Sequence, residues 1–181
     1  MHTHNDNLEP ASFLVENMSL LPKGRVFDVA MGKGRNAIYL AKLGFAVEGV
    51  DISAEAVQQA RELDRKAGLA IKAEVADLEG GYQIKKDAYD VVICFSYLQR
   101  SLIPQIKAGL RQGGMVVYET FLVEQAQWGK PKNPDYLLKH NELLDMFRDF
   151  RCLRYREGIF DDGDDKRAIA SIVAEKVNRQ S

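Results

Sequence analysis

The chain has 181 residues, of which 46% are hydrophobic and 28% charged, and its net charge is −1. That length suits one domain, spanning 1–181, with a sizeable core, and the composition is that of a globular protein. It excludes a membrane helix, which needs roughly 20 consecutive apolar residues, and it lacks the basic footprint of a dedicated nucleic-acid binder.

The N-terminus, MHTHNDNLEP, has neither the basic nor the apolar region of a signal peptide. Residues 1–7 read as a polar disordered tail, so His2 and His4 are not taken as a metal site and no metal is expected. Apolar positions Phe13, Leu14, Met18 and Leu21 have helical spacing. Pro22-Lys23-Gly24 then turns the chain into an apolar strand, Val26 to Val29. The turn Gly32-Lys33-Gly34 follows, and a helix from about Asn36 to Leu43 stops at Gly44. Phe45 to Ile52 is a second strand, and Ser53 caps a helix closed by Gly68. Ala70 to Asp77 alternates as an outer strand would, and Asp90 to Phe95 is continuously apolar, a strand buried on both faces.

Ser101 is expected to cap the next helix, Gly113-Gly114 to end it, and Met115 to Phe121 to form a fifth strand. Residues 122–140 show no period, and a loop of that length is usually functional. Asn141 is expected to cap a short helix reaching Phe147. Arg151 to Arg156 and Arg167 to Val177 then form an antiparallel hairpin around the acidic turn 161–165. Cys94 and Cys152 sit in apolar runs, which predicts two buried thiols in a reducing cytoplasm.

Strands alternating with helices predict an α/β fold, a mostly parallel sheet covered on both faces and made mixed by the closing hairpin. Ligands of such folds lie beyond the strand carboxyl ends, near the switch point. Asp28, Gly32, Gly34, Asp51, Asp77, Ser96, Tyr97 and Glu119 all fall there. Gly32-x-Gly34-x-x-Ala37 with Asp51 downstream also fits a dinucleotide fingerprint. Against a nicotinamide cofactor stand the acid Asp28 ending the strand four residues before Gly32, the further acid Asp77, and the lack of room for a substrate domain.

The runs VFDVAMGKGRNAIYLAKLG, VEGVDIS, AEVADLE, YDVVICF and GLRQGGMVVYETF resemble, in order and spacing, the motifs of class I S-adenosylmethionine-dependent methyltransferases over residues 24–121. The Gly-Lys-Gly-Arg-Asn run is similar to that of the small tellurite-resistance branch. The resemblance implies a Rossmann-like, doubly wound, seven-stranded mixed sheet and S-adenosylmethionine as cofactor, with S-adenosylhomocysteine as product. It implies that Asp28 orients the methionine ammonium, that Gly32 and Gly34 let backbone approach, and that Asp51 accepts from both ribose hydroxyls. Asp77 would accept from the adenine amino group, with Ile52 and Leu78 flanking the base and Phe95 beside the site. Ala30 stands where the family usually has glycine, so its backbone is expected to avoid positive φ. Arg35, a cation in a helix first turn, opposes the macrodipole. It is explained by pairing either with the cofactor carboxylate or with a nearby Asp or Glu.

Tyr97, Arg100 and Glu119 are candidates for the acceptor site, with the loop around Trp128 and Tyr136; His140 is read as structural. Ser96-Tyr97-Leu98-Gln99-Arg100 is not the Asn/Asp-Pro-Pro-aromatic loop of methyltransferases acting on nucleic-acid amino groups. A small acceptor is therefore expected, an oxyanion or a thiol, because a soft anion needs no general base. The alternatives are a protein or nucleic-acid methyltransferase with an open face, or a non-catalytic S-adenosylmethionine-binding module. Oligomeric state is not legible.

Overall fold

The computed structural model describes residues 8–178, and the tail expected over 1–7, with His2 and His4, lies outside the described residues. Seven strands form one sheet: β1 (Arg25–Val29), β2 (Ala46–Asp51), β3 (Lys72–Val75), β4 (Tyr89–Phe95), β5 (Leu110–Phe121), β6 (Arg151–Asp162) and β7 (Asp165–Glu175). Their order is β3-β2-β1-β4-β5-β7-β6. The first five run parallel, and β7 is antiparallel to both β5 and β6. This is the expected mixed sheet. Its order reverses between β1 and β4, where a ligand crevice opens in doubly wound folds.

Period-two alternation sends the strand side chains into two cores. Val26, Val91, Ile93, Val117 and Val173 pack with α1 (Ser12–Glu16), α2 (Arg35–Lys42) and α3 (Ala54–Ala67). Phe27, Val92, Cys94, Val116, Tyr118 and Ile172 pack on the other face with α4 (Ile103–Gly109) and α5 (Glu142–Met146). α3 is bounded as the sequence predicts: the Ser53 hydroxyl accepts from Ala56 N and Gly68 adopts the left-handed conformation.

Several local expectations are corrected. The first helical stretch breaks at Asn17 into α1 and a 3-10 turn, Met18–Leu20. Ser101 lies inside a 3-10 turn, Arg100–Leu102, and caps nothing. α4 ends at Gly109 rather than at Gly113-Gly114, because Leu110 already pairs with Tyr89 and begins β5. Asn141 makes no side-chain cap; it sits at φ 65° and its N–H donates to Glu157 Oε1 at 2.8 Å. The hairpin is longer than expected and turns in two residues, with Gly163 at positive φ. Cys94 is buried and Cys152 exposed, both as free thiols. The difference arises because β6 is the sheet edge and shifts register between Cys152 and Arg154. Among the described residues no helix is long and apolar enough to cross a membrane.

Candidate functional site

A cavity of about 840 Å3 opens at the carboxyl ends of the parallel strands. β2 and the segment after β3 contribute Asp51, Ile52, Asp77 and Leu78; the ends of β4 and β5 contribute Ser96, Tyr97 and Phe121; segment 130–136 forms the roof.

Asp51 organises the glycine turn. Its Oδ2 accepts from Gly32 N and its Oδ1 from Ser53 N, both at 2.9 Å. Each carboxylate oxygen has a further lone pair, so the side chain still offers two acceptors to a diol. Nothing lies within 4 Å of where a Gly32 Cβ would stand, so the backbone there faces open space. Gly34 is different: a Cβ would come 3.0 Å from Ala60 Cβ, so its small size serves α2–α3 packing rather than ligand approach. Asp77 Oδ1 accepts from Glu79 N at 2.9 Å.

Asp28 ends β1 beneath this turn and is only 3% exposed. Its Oδ2 has no hydrogen-bond partner among the described residues. Burial raises its pKa well above the ordinary carboxyl value, Arg35 opposes this, and Asp51 adds to it. An orphaned buried carboxyl beside an open glycine turn is what an ammonium group would satisfy. These residues fit S-adenosylmethionine: Asp28 for the ammonium, Asp51 for the ribose, Asp77 for the adenine.

Two non-glycine residues on the cavity wall have left-handed backbones, Ala30 at φ 55° and Ser96 at φ 58°. The expectation that Ala30 avoids positive φ is therefore wrong. The β1 turn continues, with Met31 N donating to Val50 O at 2.9 Å, and that geometry overrides the side-chain preference. Arg35 is partly buried; desolvation lowers its pKa, as does nearby Arg167, while Glu119 and Asp28 oppose. Its guanidinium donates a long hydrogen bond, 3.4 Å, to Glu9 O.

Of the sequence-predicted site residues, Ala30, Asp51, Ile52, Asp77, Leu78 and Tyr97 line the cavity; Asp28, Gly32, Gly34 and Arg35 do not, nor do Phe95, Glu119 and Arg100. Phe95 is packed in the α1–α3 core. Glu119 lies two residues after Val117 and shares that face; its Oε2 accepts from Ser171 Oγ at 2.6 Å, and its carboxylate pairs with Arg156 and Arg167 at 3.4 and 3.6 Å. Arg100 spends its guanidinium on Glu142, at 2.6 and 2.9 Å, and on the carbonyls of Asp135 and Leu137, at 2.8 and 2.9 Å. It is a strut for the loop, not an acceptor ligand. Tyr97 does line the cavity; its hydroxyl donates to Gln99 Oε1 at 2.7 Å, and burial pushes its pKa up to about 12. Tyr136 also faces the cavity, whereas Trp128 does not. His140 pairs with Glu124 outside it. Sequence reasoning missed Glu79, Thr120, Lys130, Lys132 and Asn133, all on the cavity wall. Only the aperiodic loop pointed toward the last three.

Residues 26–114 match the family described as "Methyltransferase domain". The chain is 23% identical over 150 residues to the "Probable S-adenosyl-L-methionine-dependent methyltransferase TehB" of Haemophilus influenzae, covering 81% of this chain and 52% of that protein. It is 29% identical over 105 residues to the "Ubiquinone biosynthesis O-methyltransferase" of Burkholderia thailandensis, covering 55% and 45%. The chain thus spans about half the length of these curated relatives. The crystal structure of TehB from H. influenzae superposes with a TM-score of 0.79 at 21% identity, covering 92% of this chain and 62% of that one. With the sheet order, these likenesses support a class I S-adenosylmethionine-dependent methyltransferase similar to the TehB branch.

Proposed function

We propose that this protein transfers a methyl group from S-adenosylmethionine to a small acceptor bound under segment 130–136, and that the acceptor attacks as a thiolate or an oxyanion. The cofactor supplies an electrophilic methyl on a sulfonium sulfur. The protein's share is to bind, to align and to exclude water. Asp28, Asp51 and Asp77 would hold the cofactor's three polar ends; Tyr97, Phe121 and Tyr136 would flank the acceptor.

The observation that carries this reading is what the cavity wall lacks. Among the described residues no histidine lines it. Of its three carboxylates, Asp51 and Asp77 accept backbone hydrogen bonds and Glu79 stands with them on the segment after β3, while the Tyr97 hydroxyl has its pKa raised and is hydrogen-bonded to Gln99. A hydroxyl acceptor, of the kind the Burkholderia relative's name states, would need a base to take its proton. An acceptor already ionised at neutral pH needs none.

Thermal shift tests the cofactor half. S-adenosylhomocysteine at 100 times its dissociation constant adds about 2.7 kcal/mol, about 5–10 °C for a chain of this size. Asp51→Ala should lose that shift while remaining folded, since hydrogen bonds to a charged acceptor contribute about 1.5–3 kcal/mol each. Equal shifts for wild type and variant would remove Asp51 from the site. For the acceptor, turnover with selenite or an aromatic thiol and none with the matching phenol is expected. Preferential methylation of the phenol would overturn the base-free reading.

A further inference from the structure

We infer that the acceptor is an organic anion with an apolar body, and that Lys130 and Lys132 receive its anionic group. This rests on the reading of the cavity as the acceptor site and narrows it.

The charged residues on the cavity wall divide by origin. Asp51, Asp77 and Glu79 come from β2 and the segment after β3, at one end of the sheet. Lys130 and Lys132 come from the loop that leaves β5, on the far side of β1 and β4. Three cations near this loop and around α4 are committed: Arg100 to Glu142 and two carbonyls, Lys107 to Asp149, Lys176 to the carbonyls of Lys107 and Leu110. Lys130 and Lys132 make no ion pair or hydrogen bond with any other described residue, though both face a cavity that also holds carboxylates. Beside them Asn133 uses its side-chain oxygen to accept from Asp135 N at 3.0 Å, which leaves its NH2 as a donor. The charged side chains that this segment turns to the cavity are thus two ammonium groups with an amide donor beside them, and an anion is the complement.

Apart from Ser96 and Thr120, the rest of the acceptor end is mainly apolar: Leu98, Phe121, Pro131 and the rings of Tyr97 and Tyr136. The cavity of about 840 Å3 is shared between the cofactor end and this acceptor end. A compact inorganic oxyanion would satisfy the ammonium groups and leave that apolar wall against water. An aromatic or aliphatic body carrying a carboxylate or phosphate covers both. Lysine ammonium groups bind such anions as point charges and do not choose between those two head groups.

Four probes separate the possibilities by calorimetry on the S-adenosylhomocysteine-saturated protein: benzoate, phenyl phosphate, neutral benzamide and inorganic selenite. At least one aromatic anion should bind tenfold or more tightly than benzamide and tenfold or more tightly than selenite. Whichever anion binds identifies the head group. In the double variant Lys130→Gln/Lys132→Gln that preference should fall at least fivefold, with affinity for S-adenosylhomocysteine within twofold of wild type. Equal binding of benzamide, selenite binding as tightly as the aromatic anions, or an unchanged preference in the variant would each overturn the inference. If S-adenosylhomocysteine binds and neither aromatic anion does, this inference alone falls. If S-adenosylhomocysteine does not bind wild type, the reading of the cavity falls with it.

Discussion

Asp28 shows how one residue trades stability for binding. Its carboxyl is raised well above the ordinary value, first by burial, so the folded chain holds a proton there that the unfolded chain releases. Above the unfolded pKa the folded state binds more protons, and stability falls as pH rises toward the folded pKa. Asp28→Asn removes that penalty. It should raise the melting temperature more at pH 8 than at pH 5 while weakening S-adenosylmethionine binding at least tenfold. An Asn variant as tight as wild type would show that the orphaned oxygen has no part in the site. Ala30 makes a smaller trade of the same kind. A left-handed non-glycine residue costs about 1–2 kcal/mol, and glycine gives back part of that as unfolded-state entropy. Ala30→Gly should therefore stabilise the chain by about 0.5–1 kcal/mol in urea titration, and a destabilised variant would contradict the strain assigned to φ 55°.

The loop 122–140 is an element with a fixed base and an open middle. Leu122 bridges Leu138, and the Gln125 side chain accepts from Ala168 N at 2.9 Å. Arg100 braces its far side from the end of the β4 segment. Arg100→Ala should raise amide exchange across 130–138 and raise the acceptor KM, leaving cofactor affinity unchanged. Because the Arg100 side chain is 39% exposed, the stability cost should be only about 1 kcal/mol. Arg100→Lys should not rescue it, since an ammonium cannot span four oxygens in a plane. His140 closes the base on Glu124. The hydrogen bond to Glu124, with Glu157 adding to it, raises the His140 pKa above its ordinary 6.5. That contribution is complete below 6.5 and is lost as pH rises through the raised value. Exchange in 122–138, corrected for intrinsic rate, should quicken as pH rises above 6.5 and through the raised value, and His140→Gln should remove the dependence.

At the scale of the molecule, β5 is the hinge between the parallel half of the sheet and its antiparallel hairpin, and Glu119 ties the two together through Ser171, Arg156 and Arg167. Glu119→Gln should therefore cost about 2 kcal/mol, less than the roughly 3–5 of a fully buried pair because both arginines are about one-third exposed. The urea midpoint should drop with m unchanged. A variant of full stability that had lost acceptor turnover would instead return Glu119 to the acceptor site. The alternation of strands and helices and the closing antiparallel hairpin were legible from apolar runs and their punctuation. The precise ends of α4 and the hairpin were not, because Leu110 and the residues flanking Gly163 take their state from neighbouring strands rather than from local propensity.

By itself the sequence determined that acids and glycines stand at the carboxyl ends of parallel strands, because apolar runs, turns and caps are local signals. That was enough to place Asp51, Asp77 and the Gly32 turn at one crevice; the nucleoside with an amine was what the resemblance to the methyltransferases implied for them. Which side of the sheet each strand-end residue faces was decided only by the tertiary structure. A strand's end is readable from where its apolar run stops, but adjacent residues point to opposite faces, and only packing says which face holds the cavity. Glu119 and Phe95 therefore turned into core and structural network, Arg100 into a brace for the roof, and the unpaired lysines of that roof came into view.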